Sequence, residues 1–235
     1  MNGFQLKCFA LILMVLDHIH QFFPNTPVIL SWTGRIVAPI FFYLMVEGYC
    51  KTRNRWRYIR RMWIAACIMA LGSGLLMLLL PNSTGSITNN IFISLGFGLL
   101  MLQAWEWSVK QHTAAGSLLL LFAAIGGMLS EAWLYGVAMT FIFYGWREKR
   151  IQMLAVYVFT MLLLTVGWET LYGAHPLTWH TLFYEQYQWM MIAAVLPIML
   201  YNGERGYNAG WAKYSFYAIY PLHIWMLYLL SALIY

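Results

Sequence analysis

Long apolar stretches, separated by short polar segments, make up most of this chain. A helix that crosses a membrane needs about 20 mostly apolar residues, because the hydrocarbon layer is about 30 Å thick. Measured against that length, the pattern predicts nine helical segments, at about 5–23, 36–50, 62–80, 90–107, 114–129, 131–146, 151–168, 186–201 and 214–234. The fifth and sixth segments meet with almost no loop between them, so the predicted range is eight to ten helices.

Composition supports a membrane location for these segments. The chain is 62% hydrophobic and 9% charged, whereas a soluble domain carries roughly a quarter charged residues. Much of its surface must therefore face lipid. Since no linker, low-complexity tract or soluble domain interrupts the pattern, we predict a single all-α polytopic membrane domain over 1–235, a helix bundle around a central polar passage.

The distribution of Lys and Arg predicts the orientation of the chain. These residues are retained on the cytoplasmic side of membrane proteins. With a cytoplasmic N-terminus and nine alternating helices, all of the 14 Lys and Arg residues except Arg35 fall on the cytoplasmic side. Topology thus accounts for the net charge of +6, and we predict no nucleic-acid partner. The three cysteines lack metal-ligand spacing, and we predict no metal site.

The predicted outer loops cover 24–34, 81–89 and 169–185. The last is the longest and contains His175, His180 and several aromatic residues. It is the best candidate for an outer lid or an interfacial helix.

Titratable residues stand out in the first helix, which contains Lys7, Asp17, His18 and His20. Lys7 and His18 are nearly three helical turns apart, so they lie on one face, roughly 16 Å from each other along the axis. Charged groups in hydrocarbon are costly and normally face the interior of a bundle or a water-filled cavity. This side of the helix should therefore face the polar passage.

Depth in the membrane suggests partners for these groups. In the antiparallel second helix, Arg35 lies at the level of Asp17, and Glu47 at that of Lys7. An adjacent Asp points about 100° away from His18. Asp17 is therefore expected to serve His20, Arg35 or a later helix, and a direct pair with His18 is not expected.

The last helix contributes a further histidine. His223 lies at about the depth of His18, so we expect the two to meet near mid-membrane. Pro221 lacks a backbone N–H and is expected to open this helix locally.

These features leave several functions open. A protonatable passage with a basic cytoplasmic mouth suits a transporter, a proton path or an enzyme that takes an anionic donor from inside. The histidines also have a simpler interpretation, as hydrogen-bonding groups between helices. The basic run at 51–61 is, by composition alone, typical of a topology anchor on anionic lipid.

Three blocks of sequence carry a resemblance that narrows the choice. The blocks "LKCFALILMVLDHIH", "GRIVAPIFFYLMVEGYCKTRNRWRYIRRM" and "YNGERGYNAGWAKYSFYAIYPLHIWMLY" resemble the TraX family, named for the protein needed to acetylate the N-terminus of F-type conjugative pilin. The similarity covers about 2–63 and 201–228, in the same order and spacing. The middle of the chain is generic hydrophobic helix.

The TraX family is in turn similar to the transmembrane acyltransferases, including the acyltransferase-3 enzymes that O-acetylate sugars. Those enzymes share a basic residue ahead of a histidine in the first helix, as Lys7 and His18 are here. Their phenylalanine-rich second helix ends in glycine and is followed by arginines. Their tyrosine-leucine-x-histidine motif near the last helix is similar to Tyr220 to His223, with Pro221 inserted.

The resemblance implies an enzyme of the bacterial cytoplasmic (inner) membrane that uses cytoplasmic acetyl-CoA. It implies that His18, helped by Asp17, acts as the general base for an acceptor amine or hydroxyl on a pilin, another peptide or a glycan. Guanidinium groups suit the phosphates of coenzyme A. The implied donor-binding residues are Lys7, Arg53, Arg57, Arg60, Arg61, Tyr220 and His223, and the implied acceptor-binding residues are Arg35, Glu47, His20 and His180.

Two other classes of function stay open at this point. A proton-coupled transporter would use the same polar path through Asp17, His18, Glu47 and His223. The chain shows no obvious two-fold internal repeat of the kind that many transporters have. In an assembly factor for a surface structure, the charged pairs would only join helices together.

Overall fold

The computed structural model describes residues 1–80, 86–173, 176–207 and 209–234, with the side chains of 212 and 213 left aside. His175 and part of the second outer loop lie outside the described residues. The ordered elements in the described ranges are helices: α1 Gly3–Phe22, α2 Ile29–Gly34, α3 Val37–Lys51, α4 Arg55–Leu79, α5 Ile91–Trp105, α6 Ala114–Met128, α7 Trp133–Gly145, α8 Arg150–Leu162, α9 Trp168–Tyr172, α10 Val195–Met199 and α11 Gly210–Ile234. Three π-helical segments (Glu106–Lys110, Leu163–Gly167 and Thr181–Glu185) and a 3₁₀ helix (Tyr187–Ala194) complete the set.

The helices confirm an all-α polytopic membrane protein. Within the described ranges, six helical stretches are long and apolar enough to cross a membrane: Gly3–Phe22, Ile29–Lys51, Arg55–Leu79, Ile91–Lys110, Arg150–Tyr172 and Tyr214–Ile234. Three shorter apolar helices cover Ala114–Met128, Trp133–Gly145 and Tyr187–Met199. Each of the nine predicted segments therefore coincides with an apolar helix. The central passage and the cytoplasmic N-terminus stay predictions.

Local details differ from the sequence-based expectation. The outer loop at 24–34 contains the short helix α2. The eighth segment begins as a 3₁₀ helix, Tyr187–Ala194, before it continues as α10. Helix α11 runs without interruption from Gly210 to Ile234 with Pro221 inside it, so the expected local opening at Pro221 is wrong.

The chain forms two compact units. The first, unit 1, comprises Met1–Ile40, Gly72–Ile87 and Val158–Tyr235. The second, unit 2, comprises Phe41–Leu71 and Thr88–Tyr157. The single domain expected from the sequence stays a prediction.

In unit 1, α1 packs between α2 and α11 along one buried stripe. The stripe contains Leu6, Ala10, Met14 and His18, spaced four residues apart, which is close to one helical turn. His18 therefore belongs to the packed face of α1. This position explains how a titratable side chain comes to be only 4% exposed.

The beginning of α1 is joined to a segment near the end of unit 1. Asn2 and Gln5 form a capping box that satisfies backbone N–H groups at the start of the helix. The amides of the first two helical residues donate to the carbonyl groups of Glu204 and Arg205. Gly206 has φ +71°, and a Cβ there would lie 2.3 Å from the Asn2 side chain, so glycine is required in this turn.

Unit 2 is built around α5, which packs against α6 and α7. Small residues allow aromatic rings to approach these helices. A Cβ on Gly136 would lie 2.8 Å from the Phe42 ring, and a Cβ on Gly126 would lie 2.2 Å from the Phe97 ring. The Phe97 ring in turn meets Trp63 edge-on, with 4.9 Å between ring centroids. Unit 2 thus has its own well-packed interior.

Candidate functional site

His18 and His223 form a buried pair inside unit 1. His18 Nδ1 lies 2.7 Å from His223 Nε2, and the two rings stack with 4.9 Å between their centroids. The Tyr220 ring lies beside both of them, with centroids 6.2 Å from His18 and 5.8 Å from His223. The contact expected from their similar depth is confirmed.

Hydrogen bonding assigns the tautomers of the neutral pair. His223 Nδ1 lies 2.7 Å from the carbonyl oxygen of Ile219, which can only accept, so Nδ1 carries the proton. The Nε2 atom of His223 is then an acceptor, and His18 must donate to it from Nδ1. His18 is left with its lone pair on Nε2, which makes Nε2 the basic atom of the pair.

An ion pair lies on the neighbouring face of α1. The Arg35 Nη2 atom donates to both carboxylate oxygens of Asp17, at 3.2 and 3.3 Å. The Nη1 atom of Arg35 donates to Gln188 Oε1 at 3.0 Å, and its guanidinium lies 5.7 Å from the Tyr187 ring centroid. The expected pairing of Asp17 with Arg35 is confirmed, and it joins α1 to α2 and to the 3₁₀ helix.

A glycine makes this ion pair possible. A Cβ on Gly34 would lie 2.1 Å from Asp17 Cγ and 2.4 Å from its Oδ1. Because no side chain projects from Gly34, the Asp17 carboxylate can lie against α2 and reach Arg35.

Gly34→Ala is therefore expected to lower the free energy of unfolding of the purified protein by about 1–3 kcal/mol, because the added methyl group would overpack the contact with Asp17. Elsewhere in a helix the same substitution stabilises by about 0.5–1 kcal/mol. Gly74→Ala is the matched control, since a Cβ there would meet nothing within 4 Å. Melting curves of both variants in detergent provide the measurement, and equal midpoints would contradict the role assigned to Gly34.

Three other sequence-predicted residues of unit 1, Lys7, His20 and His180, make contacts with groups other than the two histidines. The Lys7 Nζ atom lies 5.5 Å from the centroid of the Phe216 ring. His20 Nδ1 lies 3.0 Å from Thr26 Oγ1, at the end of α1. His180 is exposed, stacks on Tyr184 and lies 3.2 Å from Glu185.

His180 belongs to an aromatic group in unit 1. Trp179 stacks on Phe183 with 4.0 Å between centroids, and Phe183 also meets the Trp32 and Trp189 rings. The Trp32 Nε1–H donates to the Phe183 carbonyl at 2.8 Å. These contacts tie the 181–185 segment to α2, so it is a packed part of unit 1.

The basic run lies in unit 2, at the end of α3 and the beginning of α4. Arg53, Arg57 and Arg60 are exposed, and the Arg61 guanidinium lies 5.4 Å from the Tyr58 ring centroid. Arg53 lies in the connection before α4, and Arg57 and Arg60 lie one turn apart in its first half. Exposed guanidinium groups placed in this way can bind a polyanion. Glu47, which we expected to neutralise Lys7, forms its ion pair with Lys51 at 2.6 Å, one turn later on the same helix.

Sequence reasoning missed a second charged cluster, which is centred on Glu106 in unit 2. The Glu106 carboxylate accepts hydrogen bonds from Arg55, from Lys110 at 3.2 Å and from the Tyr144 hydroxyl at 2.9 Å. Glu106 is 7% exposed. It begins the π-helical segment Glu106–Lys110, a type of distortion that is frequent at functional sites. The sequence signal that could have indicated this cluster is Glu106 itself, a single acidic residue at the end of the apolar segment 90–107.

Within the described ranges, no group of three or more His, Cys, Asp or Glu side chains is arranged to hold a metal ion. The site is instead defined by imidazole nitrogens and by paired charges. It is a buried, hydrogen-bonded histidine pair in a helical multi-pass membrane protein.

Comparison with known proteins places this chain in a family. The model of the family described as "TraX protein" matches residues 2–231, and the chain belongs to this family. It is 27% identical over 246 residues to a protein from Dichelobacter nodosus described as "Probable fimbrial assembly protein FimC, serogroup H1". That alignment covers 96% of this chain and 94% of the relative. No solved structure matches.

Proposed function

We propose that this protein is a membrane acetyltransferase that moves an acetyl group from acetyl-CoA to an acceptor amine or hydroxyl. The observation that carries the proposal is the buried His18–His223 pair, in which hydrogen bonding to Ile219 leaves His18 Nε2 basic. Such a nitrogen can act as the general base of the reaction, because an attacking amine or alcohol must lose a proton.

The proposed reaction is a direct transfer. The acceptor nitrogen or oxygen attacks the thioester carbonyl while His18 Nε2 takes its proton. The carbon–sulfur bond then breaks, and the proton passes from His18 to the departing thiolate to give free coenzyme A. Acetyl, proton and electron pair are all accounted for without a further reactant.

His223 acts in this scheme as a positioning residue. While His18 is protonated, its Nδ1–H still donates to His223 Nε2, so the pair spreads the positive charge over two rings. The 2.7 Å contact between His223 Nδ1 and the Ile219 carbonyl keeps the acceptor nitrogen of His223 facing His18. Burial of both rings keeps out water that would hydrolyse the thioester.

The other assignments from the sequence are retained as parts of the proposal. The exposed guanidinium groups of Arg53, Arg57 and Arg60 bind the phosphates of coenzyme A, with Lys7, Arg61 and Tyr220 as further donor-binding residues. The acceptor contacts are Arg35, Glu47, His20 and His180. The location is the bacterial cytoplasmic membrane. Because one relative is described as a fimbrial assembly protein, we propose a pilin N-terminus as the acceptor.

The test is turnover of acetyl-CoA by purified protein in nanodiscs. Free thiol release is followed with and without a synthetic peptide that carries the pilin-type free N-terminus, and mass spectrometry of the peptide reports a gain of one acetyl group. Peptide-dependent thiol release is the expected result. A folded sample that neither binds acetyl-CoA nor releases thiol would overturn the proposal.

A non-enzymatic role has one observation in its favour, namely the description of the relative as an assembly protein. In that case the histidine pair would only join α1 to α11. An assembly factor would retain its cellular function after His18→Ala, whereas the enzyme would lose it. Piliation measured in a strain that carries the variant separates the two roles.

A further inference from the structure

The beginning of α4 places an exposed tryptophan among the arginines of the basic run. Trp56 is 44% exposed, and Arg60, four residues later, is exposed on the same face of the helix. Arg53, three residues before Trp56, is exposed in the connection that leads into α4. Guanidinium groups therefore precede and follow the indole at close spacing. The acetyl-transfer proposal uses these arginines and gives Trp56 no role.

Contacts within unit 2 hold Trp56 in place. Its ring meets the Trp107 ring in a tilted arrangement, with 5.5 Å between the centroids and 46° between the ring planes. The preceding residue, Arg55, forms an ion pair with the buried Glu106. Both contacts join the beginning of α4 to the π-helical segment Glu106–Lys110. The exposed indole is therefore preorganised, which lowers the entropic cost of binding a planar ligand.

The charge around Trp56 is positive. The Glu106 carboxylate is paired with two cations, Arg55 and Lys110, so its negative charge is more than balanced. Three exposed arginines add to the positive charge of this surface, namely Arg53, Arg57 and Arg60. Such a concentration of one sign of charge attracts polyanions.

The kind of basic residue distinguishes a phosphate site from a lipid anchor. All five basic residues between 52 and 61 are arginine. The negative surface of a membrane attracts Lys and Arg alike, whereas the planar fork of Arg matches the geometry of a phosphate. An indole between such forks offers a face on which a nucleic-acid base can stack. The surface therefore suits a ligand that carries phosphates on both sides of an aromatic base.

We propose that Trp56 stacks on the adenine base of coenzyme A, with Arg53 and Arg60 on the phosphates to either side. The ribose of coenzyme A carries a 3′-phosphate and a 5′-diphosphate, so phosphates flank the base as guanidinium groups flank the indole. This inference rests on the proposed function, in which acetyl-CoA is the donor. It makes Trp56 the residue that selects donors with a nucleotide end over donors that carry the thioester alone.

Binding of two fragments to the unmodified protein is the first test. Adenosine 3′,5′-bisphosphate contains the base, and the abasic 2′-deoxyribose 3′,5′-bisphosphate has the same phosphates without a base. Calorimetry in phosphatidylcholine nanodiscs should show about tenfold tighter binding of the adenosine fragment, the effect of one stacked base. Added phosphatidylglycerol should weaken both fragments equally, since its phosphate competes only for the arginines. Equal affinity for the two fragments would show a site for bare phosphate and overturn the proposal.

Trp56→Ala locates the base contact. We expect the affinity for the adenosine fragment to fall about tenfold, to that of the abasic fragment, whose own affinity should not change. Trp146→Ala is the matched control, because Trp146 is 41% exposed and, like Trp56, is followed by an arginine. The control should keep the preference for the adenosine fragment. A folded Trp56→Ala sample that keeps this preference would overturn the proposal.

Turnover separates a failure of this inference from a failure of the proposed function. In Trp56→Ala the KM for acetyl-CoA should rise about tenfold with kcat unchanged, because the base contact is the same in the ground state and the transition state. The KM for S-acetylpantetheine, which lacks the nucleotide, should be the same in both proteins. An unchanged KM for acetyl-CoA in an active variant would overturn the base contact alone. An unmodified protein that prefers the adenosine fragment but shows no turnover would overturn acetyl transfer and leave the base contact standing.

Discussion

His18→Gln is expected to lower kcat for acetyl transfer by about 10²–10⁴-fold, the usual contribution of a positioned general base. Glutamine offers an N–H that can donate to His223, but it has no basic nitrogen that can take the proton of the acceptor. The substitution therefore removes the lone pair at Nε2 and keeps a polar group in the buried site. Thiol release under saturating acetyl-CoA and acceptor peptide is the measurement.

Binding of the donor and thermal stability are expected to change little in this variant. His112→Asn is the control, because His112 lies outside the site and has φ +52°, a conformation that asparagine tolerates well. Its kcat should equal that of the unmodified protein. Full activity in a folded His18→Gln sample would remove His18 from the mechanism.

Glu106→Ala is expected to destabilise unit 2 by about 2 kcal/mol, a value between those of exposed and fully buried ion pairs. Arg55 loses its carboxylate partner, and the Tyr144 hydroxyl loses its acceptor. The Arg55 side chain is 38% exposed, so water partly compensates for the loss. Lys110 is more exposed still and should contribute little.

Thermal unfolding in detergent measures this effect. Cys8 and Cys50 are partly buried free thiols, whereas Cys67 is exposed. In a Cys67→Ser background, a maleimide dye that becomes fluorescent on reaction therefore reports unfolding. A loss of about 2 kcal/mol corresponds to a fall of roughly 4–8 °C for a chain of this size. Glu148→Ala, which removes an exposed ion pair with Arg147, should leave the midpoint unchanged. Equal midpoints for the two variants would show that the buried Glu106 cluster stabilises unit 2 no more than the exposed Glu148–Arg147 pair does.

The sequence predicted those features that depend on position along a helix. Hydropathy located the apolar segments, because membrane thickness sets their length. The depth of Arg35 predicted its pairing with Asp17, and the depth of His223 predicted its contact with His18. In both cases the two residues have few alternative polar partners at the same level of the membrane.

Features that depend on rotation about helix axes were not predicted. Glu106 meets Arg55 and Tyr144 because the π-helical segment after α5 turns that side towards the beginning of α4 and the end of α7. A single sequence does not specify which sides meet. Glu47 was assigned to Lys7 by depth, yet Lys51, one turn away on the same helix, is within reach of its carboxylate. The tight approach of Asp17 to Gly34 was missed for the same reason, since it requires knowledge of the packing between helices.

The histidine pair has a consequence for how the protein is made. His18 emerges early from the ribosome, whereas His223 follows roughly 10–40 s later at typical rates of synthesis. The hydrogen bonds from the beginning of α1 to Glu204 and Arg205 can likewise form only after a similar delay, when those two residues have been synthesised. All of unit 2 lies between these points in the chain. During biogenesis, α1 must therefore reside in the membrane while His18 lacks its late partner, and a helper that shields polar helices at this stage should be needed most before the last helix arrives.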